Sequence, residues 1–442
     1  MTARVHDWAR GESSPQASDT ERARSRLPVK HIVTQALGMW VVTRLAFIFI
    51  TVMAYAFGLA PYAPTAHTTF GANPTLAPLL LPLLSPMPVW ANWAHWDANW
   101  YLLIGTHGYA VVTADSTGFF PLYPLAIAAL TSIFGQQAVL PVALFLSNMA
   151  TLAAFIGLGL IGAYEKQRQE SAENASARLI AVTAAYPFAF FLFAPFTEGF
   201  FLAGIVYTFY CARRGYWGWA TVFALLAGLT RPTALALIPA LAWEFGRQRG
   251  FWRAEAWRAG AWRTAERLRD LAVELVVVTA MPAGLAGYLV FLKVRYGHAL
   301  SPFTAQRRYH EHSAWPFWKT LGVLLSRMLA FPAFSPATAL LYFDGALLLV
   351  FLIVAILNVA RLPVFYSIYM LTTLGFLLST PDPHRIEVIP SVGRYLLMST
   401  PIFLLFTRWM RGRPALQTLL IGGGFMLQAL FTVLFLGDAW IE

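Results

Sequence analysis

The chain has 442 residues, of which 58% are hydrophobic and only 12% charged, with a formal net charge of +11 and a mean hydropathy of +0.58. A soluble globular protein carries about 25% charged and about 45–50% apolar residues, so this apolar excess is more than a water-soluble core of this size can bury. Soluble enzymes, secreted disulfide scaffolds and disordered chains are excluded, and the composition predicts an all-α polytopic integral membrane protein.

Residues 1–31 are polar and mixed in charge, ending in Arg22, Arg24, Arg26 and Lys30. They read as a disordered cytoplasmic tail ahead of a single membrane-embedded domain over 32–442. The apolar run over 32–60 is longer than the roughly 7–15 residues of a signal-peptide core and reads as a retained first helix. Further long apolar segments fall at 138–163, 271–292, 337–360, 362–380 and 415–437. Shorter ones lie near 119–135, 178–194, 199–211, 217–229, 233–245, 319–334 and 394–408, giving about 10–13 helices in all. Several are below the roughly 17 residues of a full crossing. Short or broken helices at membrane depth are tolerated only where protein or a water-filled cavity covers their backbone, so they point toward a site.

Orientation follows the basic residues. The stretch 246–270 holds seven arginines against three acids, a net +4, and alternates Trp252, Trp257 and Trp262 with Arg253, Arg258 and Arg263. It reads as a cytoplasmic interfacial loop, as does the turn with Arg408, Arg411 and Arg413. Residues 61–118 contain neither Lys nor Arg and are placed outside. On that frame 293–318 is also outside, yet it carries Lys293, Arg295, Arg307 and Arg308. Cations kept on the wrong face point to an anionic ligand, with a lipid phosphate the obvious candidate and plain headgroup binding the alternative. The charges are spread between membrane segments, which argues against a nucleic-acid partner. The single cysteine, Cys211, excludes an intrachain disulfide.

The outside loop begins with a stretch too broken by proline to span, from Pro74 to Pro88, and expected along the outer interface. Continued as a helix, the next segment places Trp90, Trp93, Trp96, Trp100, Tyr101 and Ile104 within about 140° of arc. Asp97 lies inside that arc, with His95, Asn99 and Thr106 opposite. An acid on an apolar face costs desolvation unless it is used or paired. It serves as a base near neutrality, or it caps a helix or pairs with an arginine. Glu198 and Arg231, each at a break between short apolar helices, are charges at membrane depth and hence functional candidates. The alternative is that they pair with each other, or with Arg44, as structural glue. His310-Glu311-His312 has no zinc spacing. No cofactor is indicated, and a divalent metal held through Asp97 has no supporting ligand pattern.

These residues resemble a known family. His95-Trp96-Asp97 with Trp100-Tyr101 and Gly108-Tyr109, then Phe119-Phe120-Pro121-Leu122-Tyr123-Pro124, is similar to the PIG-V-like mannosyltransferases of the GT-C membrane glycosyltransferases. So are Pro195-Phe196-Thr197-Glu198, Leu229-Thr230-Arg231-Pro232-Thr233, Ser301-Pro302-Phe303 with Gln306, and Gly393-Arg394-Tyr395-Leu396. The ordered set runs from about residue 40 to 410 and is more specific than any one motif. The chain departs from the family pattern at His95, where Arg is common, at Phe196, where Tyr is, and at Gly393, where Ser is usual. The resemblance implies a GT-C fold and an inverting transfer of a sugar, mannose in the family, from a polyprenyl- or dolichyl-phosphate donor to a lipid, glycan or protein acceptor on the outer or lumenal face. It implies Asp97 as general base, with Arg231, Arg394 and Arg307 holding the lipid phosphate. Glu198 would bond sugar hydroxyls or orient Arg231. His95, Trp96, Trp100, Tyr101, Tyr123, Gln306 and Tyr395 would line the substrate site. The Arg-rich, Lys-poor composition favours a bacterial plasma membrane over the endoplasmic reticulum. The rival classes are a lipid or small-molecule transporter, which broken helices suit equally well, and a non-catalytic membrane assembly factor.

Overall fold

A computed structural model describes residues 27–61, 76–109, 114–166, 170–252, 265–310, 315–332, 335, 338–382, 386, 388–389 and 391–439. The described residues are helical and contain no strand. Four helices are long and apolar enough to cross a membrane: Val29–Ala56, Gln136–Tyr164, Ala339–Leu357 and Pro414–Leu436. We label the helices α1 (Val29–Ala56), α2 (Ala77–Leu84), α3 (Asp97–His107), α4 (Leu122–Phe134), α5 (Val139–Tyr164), α6 (Ala172–Ala184), α7 (Glu198–Arg213), α8 (Trp217–Gly228) and α9 (Leu237–Gln248). They continue as α10 (Ala265–Tyr296), α11 (Ser301–His310), α12 (Phe317–Ala330), α13 (Ala339–Asn358), α14 (Val364–Ser379), α15 (Val392–Leu397), α16 (Thr400–Met410) and α17 (Pro414–Leu436).

α5 is central and packs on α1, α4, α6 and α7. Lipid supplies no hydrophobic force between helices, so close packing by small residues takes its place. Gly162 lets α6 approach so closely that an added Cβ would lie 2.8 Å from the Ala175 carbonyl oxygen, and Gly204 faces Ala227 of α8 in the same way. Among the sub-span segments α6 and α7 both pack on α5, and α7 packs on α8; the connections over 185–197 and 229–236 meet through Thr197 and Arg231 at one end of the bundle. α7 runs about 24 Å from that end to the other. There Glu165, Arg213, Glu244 and Arg247 form a continuous chain of ion pairs at 2.7–3.1 Å, closed by Tyr366 donating to Glu165.

Three expectations are corrected. The segment expected as one helix across residues 90–104 breaks at Trp96, which has φ +46°, so Trp90 and Trp93 do not share a helix face with Trp100 and Tyr101. His95 and Asn99, expected opposite the apolar arc, are buried with it. The basic stretch over 293–318 is mostly helix, in α10 and α11, rather than loop. The Trp/Arg repeat beyond Trp252, Arg385 and nearly all of the N-terminal tail lie outside the described residues.

Candidate active site

The connections over 185–197 and 229–236 and the starts of α3 and α15 converge. Asp97 is the first residue of α3, where the helix dipole favours an acid. The turn before it is anchored by the fully buried Trp93, whose indole N–H donates to Thr51 of α1 at 3.0 Å.

Glu198 is the first residue of α7 and follows a buried turn whose carbonyls need donors. Arg44 of α1 and Thr151 of α5 donate to the Leu192 carbonyl, Asn148 to Phe193 and Ser147 to Phe196, all at 2.7–3.0 Å. Arg231 adopts the extended backbone that a following proline requires. It donates through Nε to Thr197 at 2.8 Å and through Nη2 to Glu198 Oε1 at 2.5 Å.

Arg394 ties the parts together. Its Nε donates to Glu198 Oε1 at 2.8 Å, and Nη1 and Nη2 both donate to Asp97 Oδ2 at 3.1 Å. The guanidinium packs against the T-shaped pair of Phe191 and Phe196 rings, 4.7 and 4.8 Å from their centroids. A desolvated contact of this kind is worth about 2 kcal/mol. Two cations and two anions thus balance in a site where an unpaired charge would be strongly unfavourable. Exposure is graded: the side chains of Glu198 and Arg394 are 0% and 3% exposed, whereas that of Asp97 is 28% exposed. Asp97 is the member that faces outward. Glu198 Oε2 is buried with no hydrogen-bond partner.

Asp97, Glu198, Arg231 and Arg394 therefore share one cluster, with Tyr101 one bond away through Thr197 at 3.4 Å. Glu198 and Arg231 do pair with each other, and Arg44 instead bonds Asn148 and the Leu192 carbonyl. Tyr123 braces the cluster from behind, bonding Ser147 at 2.8 Å. Trp100 stacks on Phe119, Trp96 packs on Phe435, and His95 contacts Asp438. No bond among the described residues joins Tyr395 or Lys293 to the cluster. Gln306 and Arg307 fall in α11, but their side chains lie outside the described residues. No group of three or more His, Cys, Asp or Glu gathers as a metal site among the described residues.

Sequence reasoning missed the Phe191–Phe196 pair against Arg394, Asp438 and Asp344. Asp344 is a buried acid within the span Ala339–Leu357, and an acid in so apolar a run was a readable signal. No known protein-family model matches the chain, and no curated protein matches it.

Proposed function

We propose that the protein is a membrane glycosyltransferase of GT-C type that moves a sugar, mannose by resemblance, from a polyprenyl- or dolichyl-phosphate donor to a lipid, glycan or protein acceptor. The observation that carries this reading is the convergence of Asp97, Glu198, Arg231 and Arg394, drawn from four separate motifs, on one bonded cluster open at Asp97.

Asp97 is held through Oδ2 alone, which leaves Oδ1 for an acceptor hydroxyl. That hydroxyl gives its proton to Oδ1 while its oxygen attacks the anomeric carbon. The bond from that carbon to the phosphate oxygen breaks on the opposite face. A phosphate leaves as a stable anion and needs no general acid, so one carboxylate suffices where a glycosidase needs two. Arg231 uses two of its five N–H groups on Thr197 and Glu198. The other three are suited to the donor phosphate and the charge that grows on it. Glu198 Oε2, buried and unpartnered, is suited to accept from a sugar hydroxyl. The arginine-rich turns at 247–249 and 408–413 lie at the opposite end of the bundle, which supports a site on the outer or lumenal face.

The test is transfer from radiolabelled polyprenyl-phosphate-mannose by the protein in lipid, with membrane-extract acceptors. Asp97→Asn is expected to lower turnover by about 10²–10⁴-fold with donor binding retained. Absence of transfer from any lipid-phosphate sugar overturns the reading in favour of a transporter, and equal turnover in both proteins removes Asp97 from its role.

A further inference from the structure

The turn after α17 lies against the segment that carries Asp97. Asp438 Oδ1 is 3.3 Å from His95 Nδ1, and His95 is buried, where an imidazole needs a polar partner. Between His95 and Asp97 stands Trp96 at φ +46°. A bulky residue in that region stores about 1–3 kcal/mol of strain and persists only where its surroundings over-determine it.

Phe435 supplies part of those surroundings. Its ring meets His95 at 5.1 Å and Trp96 at 5.2 Å. It also meets Phe191 and Phe196, the rings that pack on Arg394. The end of α17 therefore touches the neighbours of both Asp97 and Arg394. The turn is itself pinned: Gly437, Asp438 and Ala439 each donate a backbone N–H to the last turn of α17. A Cβ on Gly437 would lie 2.9 Å from the Leu59 carbonyl oxygen. Asp438 has φ +64°, so two left-handed residues, Trp96 and Asp438, flank the His95–Asp438 contact.

We infer that this turn clamps the Asp97 segment in its strained geometry, with Asp438 as a positioning residue that acts on Asp97 through His95 and Trp96. Its part in sugar transfer rests on the reading of Asp97 as the base; the clamp itself does not. Asp438 Oδ1 stands at ion-pair distance from the imidazole, and that polar contact, with the Phe435 ring packed on His95 and Trp96, holds the His95 and Trp96 carbonyls in place. Those two carbonyls accept the Ala98 and Asn99 N–H groups at 3.0 and 3.1 Å and so set the direction in which α3 starts.

Two substitutions separate the side-chain contact from the backbone. Asp438→Gly suits φ +64° but has no side chain to meet the imidazole, whereas Asp438→Asn keeps a polar side chain of the same shape and tolerates the same φ. Amide hydrogen exchange of the full chain in lipid nanodiscs is expected to accelerate at Ala98 and Asn99 in Asp438→Gly only, with the helix end at 208–213 unchanged. Turnover in Asp438→Gly is expected to fall about tenfold with KM for polyprenyl-phosphate-mannose unchanged, and Asp438→Asn to stay near wild type. Wild-type exchange at Ala98 and Asn99 in the glycine variant, or a uniform acceleration along the chain, overturns the clamp. Absence of transfer in the wild type removes the enzyme reading, while the exchange pattern still decides the clamp.

Discussion

Arg394 makes contacts that no other side chain type can make: one fork reaches two carboxylates while the same guanidinium packs on a pair of aromatic rings. A lysine carries the charge but not the fork. Arg394→Lys is therefore expected to lower transfer about 100-fold, since it gives up two charged hydrogen bonds of roughly 1.5–3 kcal/mol each; turnover within threefold of wild type contradicts this. Glu198→Gln leaves two guanidiniums over one remaining carboxylate and is expected to cost about 3–5 kcal/mol of stability, read by thermal unfolding in detergent. Asp438 gives a pH signature. Burial pushes its carboxyl from 3.8 up to about 6, so the folded state holds that proton more tightly than the unfolded chain does. The stabilisation is complete below about pH 3.8 and is lost as pH rises through about 6. Relative to Asp438→Asn, wild-type melting temperature is expected to fall across that window, and parallel curves would refute the assignment. The clustered charges were legible because ionisable residues stand out in apolar sequence. Asp438 was not, because an acid after an apolar span reads as a solvated helix end.

Short helices were legible by length, and the connections between them, 185–197 and 229–236, bring Glu198 and Arg231 together. The break before Asp97 was not legible. The apolar period runs unbroken from Trp90 through Trp100, and neither Gly nor Pro marks the reversal. Tertiary contacts of Trp93 and Phe435 decide it instead. Gly393, the departure from the family pattern beside Arg394, has a packing reason: a Cβ there would lie 2.2 Å from the Phe188 ring. Gly393→Ser is expected to cost about 1–3 kcal/mol through overpacking, and less in a Phe188→Ala background. A double-mutant cycle measures the difference, and additive losses would show that Phe188 is not the obstacle.

Across the whole molecule the two ends of the bundle are chemically unlike. One gathers the cluster around Asp97; the other is held by the Glu165–Arg213–Glu244–Arg247 chain and flanked by arginines. The basic-residue rule foresaw this polarity, but the pairing of those arginines with buried acids depends on helix register that no local pattern encodes. Because Cys211 is the only cysteine and is buried, single cysteines report sidedness cleanly. Ser85→Cys at the cluster end is expected to react with an impermeant maleimide in intact cells, and Arg413→Cys only after permeabilisation. The reverse pattern would place the cluster in the cytoplasm.

The separation of the cluster's members along the chain sets a timetable for biosynthesis. Glu198 finds Arg231 after 33 positions, roughly 2–7 s at about 5–20 residues synthesised per second. Asp97 waits 297 positions for Arg394, roughly 15–60 s. During that interval α7 and the turn at Arg231 can already neutralise their own pair, while Asp97 has to stay at the water's edge. A chain arrested before α15 therefore carries a persistent unpaired acid beside the bilayer, a ready mark by which a quality-control protease could tell an unfinished copy from a finished one.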